Sequence, residues 1–199
     1  MFPFSFTFRF QKPLLISLAL LLSCVAVRQM PVEWGYENSL VENVQMAVLA
    51  AGMLLCLFAR RERRLYRFAA MVFLLMMLRE VSYGRTIFFA VPGEVDTFYK
   101  WSEIPYGWVA HVLVGLYMAY MALYFILNRL YKPLWGILTE IRIPLVTAVV
   151  MLVSMVVATV MEKMELAPAE EMAELAFYVA LVTAVYGYTR DTLPKAAAE

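Results

Sequence analysis

Residues 143–161 read IPLVTAVVMLVSMVVATVM, nineteen positions without a charged side chain. A run of this kind is typical of a helix that crosses a lipid bilayer, which takes about 20 apolar residues. The whole chain of 199 residues has the same character, since 63% of it is hydrophobic and 17% is charged. A soluble domain is about a quarter charged and cannot bury such an excess of apolar residues. The sequence therefore predicts a multi-pass membrane protein.

Five further apolar runs are long enough to cross a bilayer. With the first, the predicted spans are 13–27, 40–59, 66–89, 105–127, 143–161 and 169–188. Because backbone polar groups in lipid must bond within their own segment, each run is predicted to form a helix. No internal repeat or long polar linker divides the chain. The predicted fold is all-α, a single transmembrane domain over residues 1–199 built as one bundle of six helices.

The basic residues predict how this bundle is oriented. Four segments that would share one side of the membrane hold 12 of the 17 Lys and Arg residues, namely 1–12, 60–67, 129–142 and 190–199. Positively charged loops stay in the cytoplasm, so both termini are expected there. The expected location is the cytoplasmic (inner) membrane of a bacterium. The net charge of +1 provides no basic surface for nucleic acid.

The first span has a second interpretation. Two basic residues, the apolar run Leu14–Leu22 and then Cys24 also make the pattern of a signal peptide with a lipoprotein-type cysteine. The apolar run continues past Cys24 to Val27, which favours a retained helix. Cys24 and Cys56 would then lie toward opposite membrane faces, and they could not form a disulfide within one chain.

Polar side chains inside the predicted spans mark a candidate site. A charge in a membrane helix costs at least about 2.5–3.5 kcal/mol, so each one needs an explanation. Counting residues from the helix ends places most of them within about 10 Å of the outer boundary, on four different helices. No catalytic residue is assigned. The predicted substrate-binding residues are Glu42, Gln45, Arg79, Glu80, Tyr83, Arg85, His111, Glu171 and Glu174.

Helical spacing groups these residues. Glu42 and Gln45 share a face, and Glu171, Glu174 and Tyr178 follow one stripe at offsets of three and four. Purely structural roles remain open for several of the candidates. Glu42 and Glu171 could be solvated helix ends, the arginines could neutralise nearby carboxylates in ion pairs that fix helix register, and the histidine could be a hydrogen-bonded core residue.

Glu80 is the candidate that a structural role explains least, because it is predicted to lie farthest from either end of its helix. With three partners it could hold a divalent metal, and the predicted ligands are Glu42, Glu80, His111 and Glu174. Such a carboxylate-rich set suits iron or manganese better than zinc. A single histidine excludes the paired Glu-x-x-His motifs of a di-iron bundle. The sequence leaves open whether the protein is an enzyme.

The segment from Arg79 to Phe88, REVSYGRTIF, resembles a motif of an uncharacterised family of bacterial multi-pass membrane proteins, approximately E-E-I-S-W-G-Q-R-I-F. Glu80, Ser82, Gly84, Ile87 and Phe88 match it, while the first, seventh and eighth positions carry Arg79, Arg85 and Thr86 instead. The family's motif follows a helix with an acidic opening, here residues 36–43. The resemblance implies a membrane protein and no particular activity.

Three functions remain open on the sequence. The first is a membrane protein with an outward-facing polar cavity that binds or passes a small cation or proton. The second is an intramembrane enzyme acting on a lipid-type substrate at the outer leaflet, with Glu80 and His111 as base and acid. The third is a non-catalytic membrane subunit or scaffold. The expected partners are the lipid bilayer and a second copy or another membrane subunit.

Overall fold

The computed structural model describes residues 6–7, 11–60, 62–140 and 143–189. This part of the chain is all-α, as predicted, apart from one parallel pairing of Phe6–Thr7 with Ile143–Pro144. The helices are α1 Leu14–Ser23, α2 Leu40–Leu57, α3 Arg63–Glu80, α4 Arg85–Phe88, α5 Trp108–Leu127, α6 Tyr131–Glu140, α7 Leu145–Lys163 and α8 Ala167–Thr189. The predicted segment 190–199 lies outside the described residues.

Within the described residues, four helices are long and apolar enough to cross a membrane: α2, α5, α7 and α8. They match four of the six predicted spans to within a few residues. The other two predicted spans differ. The first contains a helix of only 10 residues, and α3 carries three arginines near its start and the pair Arg79 and Glu80 at its end. Helix α6, in a segment predicted only as a connection, was not foreseen.

The third predicted span is wrong at its end. It was expected to run to residue 89, but α3 stops at Glu80 because the following backbone turns left-handed. Ser82, Tyr83 and Gly84 have φ angles of 43°, 56° and 92°, a conformation that ends a helix and that only glycine adopts without strain. Glu80 is therefore the last residue of its helix, Tyr83 lies on the turn beyond it, and Arg85 is the first residue of α4.

Helix α8 is the centre of the bundle and packs against α1, α2 and α7. Small residues at offsets of three and four place one smooth face toward these neighbours: Ala169, Ala173, Ala176 and Ala180, all 0% exposed. Small side chains let helix backbones approach closely, which supplies the packing energy that holds helices together in lipid.

Gly52 lets α2, α3 and α8 meet at one point. A Cβ atom at Gly52 would lie 2.6 Å from Cε1 of Phe73 on α3 and 2.8 Å from Cγ2 of Val182 on α8. Since Phe73 is itself buried, it has little room to give way. The crossing favours glycine because the Cβ of any larger residue would clash with these side chains.

The first predicted span is part of the packed bundle. Leu14 packs with Val150 of α7 and Ala180 of α8, and Cys24, in the 3₁₀ turn that follows α1, packs against Ala169 at the start of α8. The helix is shorter than predicted because the chain tightens into this 3₁₀ turn at Cys24. Cys24 and Cys56 are both buried and free, as predicted.

The two ends of the bundle differ in character. We call the polar end the one at which α2, α5 and α8 begin and α3 and α7 end, and the basic end the opposite one. The basic end holds Arg63, Arg64, Arg129 and Lys132 around the connections from α2 to α3 and from α5 to α6. The acidic side chains inside the predicted spans all lie toward the polar end.

Candidate functional site

A cavity of about 560 Å³ opens at the polar end, between α2, α3, α8 and the turn that follows α3. Among the described residues, its walls carry six carboxylates and two guanidinium groups. The lining residues are Gly35, Glu37, Glu42, Arg79, Glu80, Ser82, Tyr83, Arg85, Trp101, Ala167, Glu170, Glu171 and Glu174. The cavity is therefore strongly acidic, which favours cations over anions.

Three of these carboxylates form a compact cluster, which we call the carboxylate triad: Glu80, Glu171 and Glu174. One oxygen of each lies within 4.8 Å of the others. Glu171 and Glu174 share a face of α8 because they are three residues apart. Glu80 reaches them from α3 because that helix ends beside the first turns of α8.

Arg79 is the cation closest to the carboxylate triad in the described part of the chain. Its Nη2 donates to Oε1 of Glu174 at 2.7 Å, and its Nε lies 3.8 Å from Oε1 of Glu80. The Arg79 side chain is 60% exposed, against 18% for Glu174 and 6% for Glu80. Arg79 thus covers the triad from the water side, one positive charge over three carboxylates.

Tyr178 forms a hydrogen bond with Glu80 from the buried side of the cavity. Its hydroxyl donates to Oε1 of Glu80 at 2.7 Å, and the side chain is 2% exposed. Tyr178 is the last residue of the stripe that sequence spacing predicted on α8. The bond fixes the carboxylate of Glu80 at the floor of the cavity.

Gln45 ties α2 to the carboxylate triad. Its Nε2 donates to the backbone oxygen of Glu171 at 2.9 Å and to Oε2 of the same residue at 2.8 Å. Gln45 is fully buried and does not line the cavity. It therefore positions Glu171 from behind.

Glu42 lies on the wall that α2 contributes. Ser39 caps this helix and accepts from the Glu42 backbone N–H, and Oε2 of Glu42 accepts from the backbone N–H of Asn38. The residue is only 6% exposed. Its other carboxylate oxygen, Oε1, has no hydrogen-bond partner among the described residues, which is uncommon for a buried polar atom.

The rim of the cavity is formed by loops. The backbone N–H of Glu37 donates to Oδ1 of Asp96 at 2.8 Å, and the guanidinium carbon of Arg85 lies 5.7 Å from the ring centre of Phe98. Burial raises the pKa of the Glu37 carboxyl above its ordinary value; Arg85 opposes this shift and Asp96 adds to it. The acidic character thus extends to the mouth of the cavity.

The structure brings together most of the predicted site residues. Those that line the cavity are Glu42, Arg79, Glu80, Tyr83, Arg85, Glu171 and Glu174. His111 is not among them. It is exposed on α5, where its ring packs edge-on against Trp101 with 5.4 Å between ring centres. The predicted metal set of Glu42, Glu80, His111 and Glu174 is therefore not assembled as one cluster, and Glu171 joins Glu80 and Glu174 instead.

Four polar or aromatic residues of the cavity were missing from the predicted set: Glu37, Ser82, Trp101 and Glu170. Glu170 carries a usable signal, because it lies four residues before Glu174 and so on a neighbouring helical position. Glu37 and Trp101 belong to loops, whose approach to the cavity no periodicity reveals.

A second cavity, of about 280 Å³, adjoins the first between α3, α7 and α8. It shares Arg79, Glu170 and Glu174 with the acidic cavity and adds Glu162. The rest of its wall is largely apolar. Arg79 thus stands between two cavities, each of which offers it carboxylate partners.

No family model matches the chain, and neither does any curated protein or solved structure. The resemblance of residues 79–88 to a membrane-protein family stays a prediction. The function has to be argued from the cavity itself.

Proposed function

We propose that this protein is an integral membrane protein that binds a small cation in its acidic cavity. The observation that carries the proposal is the carboxylate triad, to which Arg79 is the one adjacent cation in the described part of the chain. Three ionised carboxylates this close repel one another strongly where water is partly excluded. One guanidinium compensates one of the three charges, and a bound cation or protons would compensate the others.

The position of His111 favours binding over the enzyme alternative. That alternative needs Glu80 and His111 as an acid–base pair, and groups that exchange a proton must come within hydrogen-bond reach of a common substrate. His111 does not line the cavity that contains Glu80. A cation site needs only the carboxylates, which are in place.

The proposed membrane arrangement has the basic end in the cytoplasm and the polar end outside, in a bacterial inner membrane. Helix α3 crosses the membrane in this arrangement because it follows α2 after a short connection and packs along it. At 18 residues it is about 27 Å long, and its charges lie near its two ends. Helix α5, most of whose residues are exposed, would face lipid or another membrane subunit.

This arrangement makes a topology prediction. Reporter fusions after Arg64 and after Arg190 should both give cytoplasmic signals, and a fusion at Asp96 should give an external one, since basic segments are retained inside. The measurement is a paired alkaline phosphatase and fluorescent protein assay at each site. An external signal at Arg64 would overturn both the orientation and the outward-facing cavity.

Cation binding is tested by titrating the purified protein in detergent with Mn²⁺ and following free Mn²⁺ by electron paramagnetic resonance. The proposal expects saturable binding of one Mn²⁺ per chain, with Mg²⁺ and Ca²⁺ as competitors. A titration that never departs from the buffer blank at neutral pH would contradict it.

A further inference from the structure

We propose that Arg79 is an internal counter-cation, which a divalent metal ion displaces from the carboxylate triad. This inference rests on the proposed function and makes it more specific. The ligand class is a hard divalent cation such as Mg²⁺, Ca²⁺ or Mn²⁺, because the triad offers oxygen atoms only.

The triad has nearly the dimensions that such an ion requires. Two oxygens that each lie about 2.3–2.6 Å from one Ca²⁺ are at most about 5 Å apart, or about 4.5 Å when three oxygens surround it evenly. The oxygens of Glu80, Glu171 and Glu174 lie within 4.8 Å of one another. Small side-chain adjustments therefore close the triad around an ion, and water from the open cavity would complete the coordination.

Glu42 provides an independent sign of a missing cation or donor. It lines the same cavity, it is 6% exposed, and its Oε1 has no hydrogen-bond partner among the described residues. A carboxylate oxygen only accepts hydrogen bonds or binds cations. An ion with its shell of waters in the cavity would satisfy this oxygen, whereas Arg79 bonds to Glu174 instead.

The Arg79 side chain has an alternative position available when it leaves the carboxylate triad. Its side chain is 60% exposed, and it also lines the second cavity, beside Glu162 and Glu170. Moving toward those carboxylates keeps the guanidinium paired. The metal then compensates two of the three negative charges of the triad, where Arg79 had compensated one.

The test compares Mn²⁺ binding to wild type, Arg79→Gln and Arg85→Gln. Both variants lose one positive charge from the same cavity wall, but of the two arginines only Arg79 forms an ion pair with the triad. Arg79→Gln should bind Mn²⁺ about 10-fold more tightly than wild type, because the competing occupant is gone. Arg85→Gln should change the affinity much less.

Each result has a defined meaning. Equal affinities of wild type and Arg79→Gln, or an equal gain in both variants, would overturn displacement while leaving cation binding standing. Absence of Mn²⁺ binding in all three proteins would overturn the proposed function as well. Arg79→Lys is a second variant in case Arg79→Gln does not fold, since it keeps the charge but not the guanidinium geometry. Displacement predicts that its affinity for Mn²⁺ lies between those of wild type and Arg79→Gln. An affinity at or below that of wild type would contradict displacement.

Discussion

Glu80→Gln is expected to lower the affinity for Mn²⁺ by at least about 100-fold, since even the partners of metal ligands contribute about 10- to 100-fold. The melting temperature should stay unchanged or rise. The amide oxygen of the introduced glutamine still accepts the hydrogen bond that Tyr178 donates to Glu80 at 2.7 Å, and Arg79 keeps its 2.7 Å bond to Glu174. The substitution therefore removes a ligand charge without leaving a buried cation unpaired.

Glu165→Gln is the matched control for this experiment. It removes the same charge at the same end of the bundle, but Glu165 is exposed and lines neither cavity. Its Mn²⁺ affinity should remain close to wild type. If Glu80 only forms an ion pair that fixes helix register, Glu80→Gln should lower the melting temperature by several degrees and retain metal binding. That pattern would refute the binding role of Glu80.

Tyr178→Ala is expected to destabilise the protein by about 3–5 kcal/mol, the range found when large aromatic side chains are removed from protein cores. Tyr178 is the largest of the fully buried side chains among the described residues, and it packs in a cluster with Leu49 of α2 and Phe73 of α3. Alanine would leave a cavity where three helices meet and would also remove the donor that holds Glu80. The measurement is reversible unfolding in mixed micelles by titration with a denaturing detergent.

Tyr178→Phe separates packing from hydrogen bonding at this position. The ring stays and only the hydroxyl is lost, so the expected cost is about 1–2 kcal/mol. If Tyr178→Ala were no less stable than Tyr178→Phe, the ring would contribute no packing, and the placement of α8 at the centre of the bundle would be wrong.

The apolar runs were enough to predict most helices, because a long run without charges leaves the backbone no alternative in lipid. Helices α2 and α8 begin within two residues of their predicted starts. The end of α3 was not predicted because it depends on the backbone conformation of the following residues. Gly84 is a recognisable breaker, but nothing in the residue types of Ser82 and Tyr83 indicates that both adopt positive φ.

Counting from the helix ends predicted that most candidate residues lie toward one end of the bundle, but it did not predict their direction around each helix. Glu42, Glu80 and Glu174 all line the same cavity, although Glu80 was predicted to lie far from both ends of its helix and is the last residue of that helix. His111 was predicted in the same layer, on the span 105–127 that α5 largely occupies. That helix packs mainly against α3, and His111 is exposed. Spacing fixes which residues share a face, whereas packing decides which faces meet.

Mn²⁺ bound to crystals of the wild-type protein would test the central claim most directly, since its anomalous scattering locates the ion among the side chains. The account predicts one strong anomalous peak between the carboxylates of Glu80, Glu171 and Glu174, with the guanidinium of Arg79 turned away from Glu174. A map at saturating Mn²⁺ with no peak at the triad, and with Arg79 still bonded to Glu174, would contradict it.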